Sequence, residues 1–162
     1  MEKFGRPLDD IHAPVPGFGR GTRMADLIAR MFDNLKVEQP VLRMNWSLQA
    51  DAALYLPMSS GERDERAMAR PPRFPLENTF SGVFVRVERQ TLRRLPLSGD
   101  ILFTIRIHLD ALAKLRHHSD RARLAAAFSK QLEALDDGQL DYKGLASDRA
   151  RLVAALRVLG TD

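Results

Sequence analysis

The densest group of chemically capable side chains is the run Arg86-Val87-Glu88-Arg89-Gln90-Thr91-Leu92-Arg93-Arg94. Guanidinium groups match carboxylates bidentately, so Arg86, Arg89, Arg93 and Arg94 can hold a cofactor carboxylate, Glu88, or the acidic residues near Asp136. On residue types alone, the plainer reading is an internal salt-bridge lattice on a solvated sheet face. His12 is the second candidate. It lies between Ile11 and Ala13-Pro14-Val15-Pro16, where proline restricts the backbone. A held imidazole is what axial ligation of iron requires. An ordinary hydrogen-bonded loop histidine has the same signature, and composition favours that reading.

The other histidines have simpler readings. No pair has the i,i+4 spacing of a helical zinc site. His117 and His118 are helix neighbours that diverge by about 100°, near a helix C-terminus where a cation is favoured. His108 lies on the polar side of a strand. Gly17-Phe18-Gly19-Arg20-Gly21 precedes a helix, but a dinucleotide fingerprint needs a preceding strand, and His12 to Pro16 occupies that place. The stretch reads as a turn into a helix. No nucleophile elbow or Ser-His-Asp order is present. Trp46 reads as a core residue, with Asn45 facing the other way.

These residues must be positioned by 162 residues, one domain's length, numbered 1–162 as a single unit. Hydrophobic residues make up 44% and charged residues 28%, which excludes a disordered or fibrous chain. The 25 basic and 21 acidic residues leave a net charge of +4, too mild to imply nucleic acid. There is no cysteine, which removes disulfides, zinc ribbons and iron–sulfur ligation within the chain. No apolar run approaches the roughly 20 residues of a membrane span, and Met1 to Gly5 lacks a secretory core. A cytoplasmic protein without membrane or nucleic-acid partners is the expectation.

Thr22 can cap a helix whose stripe is Met24, Leu27, Ile28, Met31, Phe32 and Leu35. Period-two alternation predicts strands over about 41–49, along Val83 to Gln90, and along Ile101 to Leu109, the last two joined by a hairpin through Pro96 and Gly99. Residues 57–76 read as a long exposed connection, mobile or functional. If the apolar faces of the last two strands agree, Glu88 pairs with Arg106, Gln90 with Thr104 and Arg86 with His108. Helices follow over Asp110 to His118, Asp120 to Leu135 (stopped by Asp136-Asp137-Gly138), and Ser147 to Leu159, with Ser147 able to cap the last. The layout is α+β: a helix, three antiparallel strands, then helices.

Three stretches resemble the haem-dependent oxidative N-demethylase alpha-subunit-like family. They are Glu2 to Leu8 leading into Ile11-His12-Ala13-Pro14-Val15-Pro16-Gly17, then Asn45-Trp46-Ser47, and Arg86 to Pro96 followed by Phe103-Thr104-Ile105-Arg106. Tyr142-Lys143-Gly144-Leu145 also fits. The resemblance implies a PAS-like fold holding haem b. It also implies an oxidoreductase that demethylates a small secondary amine with oxygen, fed with electrons by flavin and iron–sulfur partner subunits, with tetrahydrofolate accepting the one-carbon unit. By the same resemblance His12 is the axial ligand of the haem iron, beside Pro14, and Val85, Val87, Phe103 and Ile105 cover the haem. Arg86, Glu88, Arg89 and Arg106 are the candidate catalytic groups. Family members carry a substantial region before the Glu-Lys-x-Gly motif, so the chain is expected to be the C-terminal portion of a PAS-like domain. A haem or small-molecule sensing module, or a remnant without cofactor, are the alternative readings.

Overall fold

Thr22 accepts the Ala25 N–H at 3.2 Å through its hydroxyl, and the helix that follows occupies Arg23–Asp33. The computed structural model describes residues 5–12, 15–55, 72–77, 79–80 and 82–161. In chain order the elements are α1 (Leu8–His12), α2 (Arg23–Asp33), β1 (Val41–Gln49), β2 (Phe84–Arg94), β3 (Ile101–Ala111), a 3-10 helix (Leu112–His117), α3 (Arg121–Glu133), α4 (Asp137–Lys143) and α5 (Arg149–Thr161). The strands form one open antiparallel sheet in the order β1-β2-β3. The expected α+β layout is therefore the one observed. Most of the 57–76 connection lies outside the described residues. Its far end carries Phe74, which is buried.

The β2–β3 register departs from the sequence expectation by one residue. The hairpin closes with the Leu95 N–H on the Asp100 carbonyl at 2.8 Å, and Leu112 N–H reaches the Val83 carbonyl at 2.8 Å. The Thr91 and Thr104 hydroxyls are hydrogen-bonded between these closures. In an antiparallel ladder opposite residue numbers have a constant sum, and all three pairs agree. Arg89 thus opposes Arg106, Gln90 opposes Ile105, Leu92 opposes Phe103, and Val87 opposes His108. The expected pairs Glu88–Arg106, Gln90–Thr104 and Arg86–His108 do not form. The parity argument required the apolar sides of both strands to coincide. The four-residue turn, Pro96 to Gly99, sets the opposite parity, and β3, an edge strand with half-exposed residues on both sides, tolerates it.

Two compact units emerge, one from Met1–Asn45 with Glu88–Arg106, the other from Trp46–Val87 with Ile107–Asp162. In the first, α2 buries none of its residues, contrary to its apolar stripe. It is held by its C-terminal carbonyls instead. Arg94 donates from Nε to Leu35 O and from a terminal nitrogen to Phe32 O, each at 2.7 Å, and from the other to Gly99 O at 2.9 Å. One guanidinium satisfies the end of α2 and the hairpin turn, where a cation also meets the negative end of the helix dipole.

The second unit holds the apolar core. Leu48 and Val83 from the sheet meet Leu132 of α3, Leu140 of α4, Leu145, and Leu152 and Leu156 of α5. Each such side chain contributes roughly 1.5–3 kcal/mol on burial. Asp136-Asp137-Gly138, expected to end a helix, starts α4. Asp136 accepts the Gln139 N–H at 2.8 Å, and the Gln139 side chain accepts the Asp136 N–H at 3.2 Å. That reciprocal capping box was present in the sequence as Asp-x-x-Gln. α4 stops at Gly144, whose φ of +64° suits glycine. α5 begins after Asp148, one residue beyond the expected cap at Ser147. Asp110 and Ala111 extend β3 rather than opening a helix.

Asp148 is buried and accepts the Arg73 N–H at 2.6 Å and an Arg151 N–H at 2.6 Å. Arg151 also donates to the Pro75 and Phe74 carbonyls. This ties the segment before β2 to α5 through a satisfied buried carboxylate. Asp148→Ala is expected to lower the unfolding free energy by about 3 kcal/mol, because it strands Arg151. Asp148→Asn, which keeps an acceptor for Arg73, should lose less. Arg94→Leu should cost about 2 kcal/mol through three lost charge-assisted hydrogen bonds, with Arg94→Lys recovering only part. Urea titrations of the four variants check both.

Candidate functional site

His12 is the last residue of α1 and is part-buried. Its Nδ1 lies 2.9 Å from the Leu8 carbonyl, and its ring rests against Phe18 with centroids 4.7 Å apart and planes tilted by 36°. A carbonyl can only accept, so Nδ1 carries a proton, and in the neutral ring Nε2 is then the nitrogen with the lone pair. Among the described residues nothing is bonded to Nε2. Metal-ligating imidazoles commonly have this arrangement, with the far nitrogen fixed by a carbonyl. Phe18, from the glycine-rich stretch, is buried. That stretch is a turn leading to Thr22 N–H on Gly19 O at 3.1 Å, in keeping with the turn-into-helix reading. Pro14 and residues 1–4 lie outside the described residues.

In the first unit the register sorts the remaining candidates onto two faces. One carries Glu88, Gln90 and Leu92 with Phe103 and Ile105, and the Gln90 amide donates to Glu88 Oε2 at 2.9 Å. Phe103 and Ile105 are 50% and 48% exposed. The other face carries Arg89 opposite Arg106, Thr91 opposite Thr104, and Arg93 opposite Leu102. Arg106, expected opposite Glu88, thus points away from it. The expected salt-bridge lattice is replaced by carbonyl contacts for Arg94, while Arg89, Arg93 and Arg106 stand exposed.

In the second unit Arg86 donates to Leu54 O at 3.1 Å, which anchors the chain leaving β1. Val85 opposes Asp110 and Val87 opposes His108. Val85 and Val87 therefore belong to the sheet face opposite to that of Phe103 and Ile105. The single wall of Val85, Val87, Phe103 and Ile105 does not form. Val85 instead lines a cleft of about 440 Å³ with Leu112, Lys114, Leu115, His118, Leu124 and Phe128. At its rim Lys114 pairs with Asp110 at 2.5 Å, and His118 Nδ1 accepts the Asp120 N–H at 3.0 Å. The Arg123 hydrogen bond to the Asp120 carboxylate holds that group below its usual range.

Sequence reasoning did not connect two motifs that the second unit brings together. Lys143 Nζ lies 4.7 Å from the centre of the Trp46 ring and donates to Trp46 O at 2.7 Å, while Trp46 meets Phe128 edge-on at 5.3 Å. Arg73 caps the end of α4 by donating to Lys143 O at 3.1 Å. Asn45-Trp46-Ser47 and Tyr142-Lys143-Gly144-Leu145 thus meet through Trp46 and Lys143 in one structural joint between β1 and α4, signalled in the sequence only by an aromatic and a cation far apart. Gln49, at the end of β1, is buried and donates to Asp51 O and Ala53 O. Lys143→Met should destabilise the protein by about 1 kcal/mol, from the lost cation–π contact and hydrogen bond. It should also shift the emission of Trp46, the sole tryptophan. A fluorescence-monitored urea titration reads both.

A haem group needs an axial donor and an apolar surface. His12 supplies an imidazole whose Nδ1 is held by Leu8 O and whose Nε2 has no partner among the described residues, which fits the first need. Phe103 and Ile105 supply exposed apolar area in the same unit, with Leu92 half-buried beside them. Among the described residues no helix is long and apolar enough to cross a membrane. The family model described as "Haem-dependent oxidative N-demethylase, alpha subunit-like" matches residues 1–153. With nearly the whole chain matched, including the His12 motif, the Trp46 joint and the β2–β3 hairpin, this protein belongs to the haem-dependent oxidative N-demethylase alpha-subunit-like family.

Proposed function

We propose that the chain serves a haem-dependent, oxygen-using N-demethylase of small secondary amines, with His12 as the axial ligand of haem b through Nε2. The observation that carries this reading is the fixed His12 tautomer inside a family motif: Leu8 O takes the Nδ1 proton, and the opposite nitrogen is left to a metal. When bound, the haem supplies the redox chemistry. Flavin and iron–sulfur centres on partner subunits deliver the electrons, and tetrahydrofolate accepts the one-carbon unit. In this reading the sheet and its following helices are the latter part of a PAS-like domain.

The chain's own residues bind and orient the amine. A secondary amine is an ammonium cation near neutral pH. Glu88, held by Gln90 at 2.9 Å, is the carboxylate that pairs with it. Phe103 and Ile105, on the same face, cover the methyl groups and exclude water. Arg89 and Arg106 face the other way and take no part at this site.

Reconstitution with haem tests the ligand. His12→Ala is expected to shift the haem absorption band and weaken retention, and added imidazole should restore the band in His12→Gly. An unchanged band in both variants assigns the iron to another residue. Glu88→Gln should leave the band unchanged and raise the KM for the amine more than tenfold. A KM that does not move removes Glu88 from the amine site.

A further inference from the structure

We propose that the arginine-bearing face of the β2–β3 hairpin docks the acidic surface of a partner protein. The inference stands apart from the haem reading, because it uses the face turned away from Glu88 and Gln90. The register sets Arg89 directly opposite Arg106 and places Arg93 two positions along the same side. Like charges directly opposite across a ladder are destabilising. Among the described residues the ion pairs involve Arg20, Lys114, Arg123, Arg151 and Arg157, and none of Arg89, Arg93 and Arg106 has a hydrogen bond or ion pair. All three are exposed. Within the first unit the strand positions of this face hold no carboxylate; Asp100 stands at its hairpin end, and Asp110 lies at the far end of β3 in the second unit, paired with Lys114.

The arginines are interleaved with exposed apolar residues. Trp46 and Val85 both flank Phe128, so the even positions of β1 share the side of the odd positions of β2. That puts Met44 and Leu42, 59% and 55% exposed, on the same face as Arg89 and Arg93, with Leu102, 49% exposed, opposite Arg93. Arginine and methionine are enriched, and acidic residues depleted, at protein interfaces.

The chemistry selects among occupants. Arg89 and Arg93 are four strand positions apart, about 13 Å, so the positive charge is spread wider than one small anion. Within the first unit the strand positions of this face carry no aromatic side chain, which leaves no stacking platform there of the kind that single-stranded nucleic acid uses. A second copy meeting it by a two-fold axis would set arginine against arginine. A carboxylate-bearing protein surface satisfies the guanidinium groups and covers the methionine and leucines together.

The test measures binding of poly-L-glutamate, as a defined acidic polypeptide, to the full chain across a salt series. Two triple variants carry equal loss of charge: R89Q/R93Q/R106Q on this face, and R20Q/R123Q/R157Q at ion-paired exposed sites elsewhere. Because Arg89, Arg93 and Arg106 are exposed and unbonded, their substitution leaves the fold intact, which circular dichroism verifies. The expected result is a loss of at least tenfold in the first triple and less than twofold in the second. Equal losses, or none, overturn the proposal. Tighter binding of duplex DNA than of poly-L-glutamate at the same salt, abolished by the first triple, overturns it in favour of nucleic acid.

Discussion

The hydrogen bond from Leu95 N–H to the Asp100 carbonyl closes the β2–β3 hairpin across four turn residues, and the chemistry of the molecule is ordered by that closure. A side chain's face in a strand alternates with every residue, so the closing pair decides which side chains are neighbours all along the ladder. In the first unit it brings Phe103 and Ile105 to the side of Glu88 and Gln90, and it gathers Arg89, Arg93 and Arg106 on the reverse. In the second it turns Val85 and Val87 toward Asp110 and His108. A turn one residue shorter or longer would exchange these neighbourhoods without altering any residue of the strands.

The arginines of β2 show how one residue type divides into roles by position. Arg94 reaches three carbonyls and carries α2, a helix that buries none of its own residues. Arg86 secures the chain after β1 through Leu54 O. Both act by charge-assisted hydrogen bonds to orphan backbone groups, worth more than exposed ion pairs, which contribute little. Arg89 and Arg93 stand on the exposed side, and among the described residues neither has a hydrogen bond or ion pair.

The sheet core and the C-terminal helices were readable because burial imposes periodicity. β1 falls at Val41–Gln49 as alternation requires, and Leu152, Leu156 and Leu159 mark the buried side of α5. α4 was obscured because Asp-Asp-Gly resembles a helix stop, although Asp136 and Gln139 hold its capping box. The α2 stripe was read as helical, and the helix forms, but none of its own residues is buried. Amphipathicity reports a helix's period, and whether another surface meets it is a tertiary matter.

At the candidate site the same division holds. The types and spacings of residues were enough to single out His12, the Glu88–Gln90 pair and the arginine run, because donors, acceptors and rigid prolines are properties of the chain itself. The face each side chain occupies, the proton on His12 Nδ1, and the meeting of Lys143 with Trp46 were not contained in those spacings. They follow from a turn's closing pair, a carbonyl one helical turn away, and a contact between residues far apart in the chain. Each is a relation between separated backbone segments, which local periodicity does not encode.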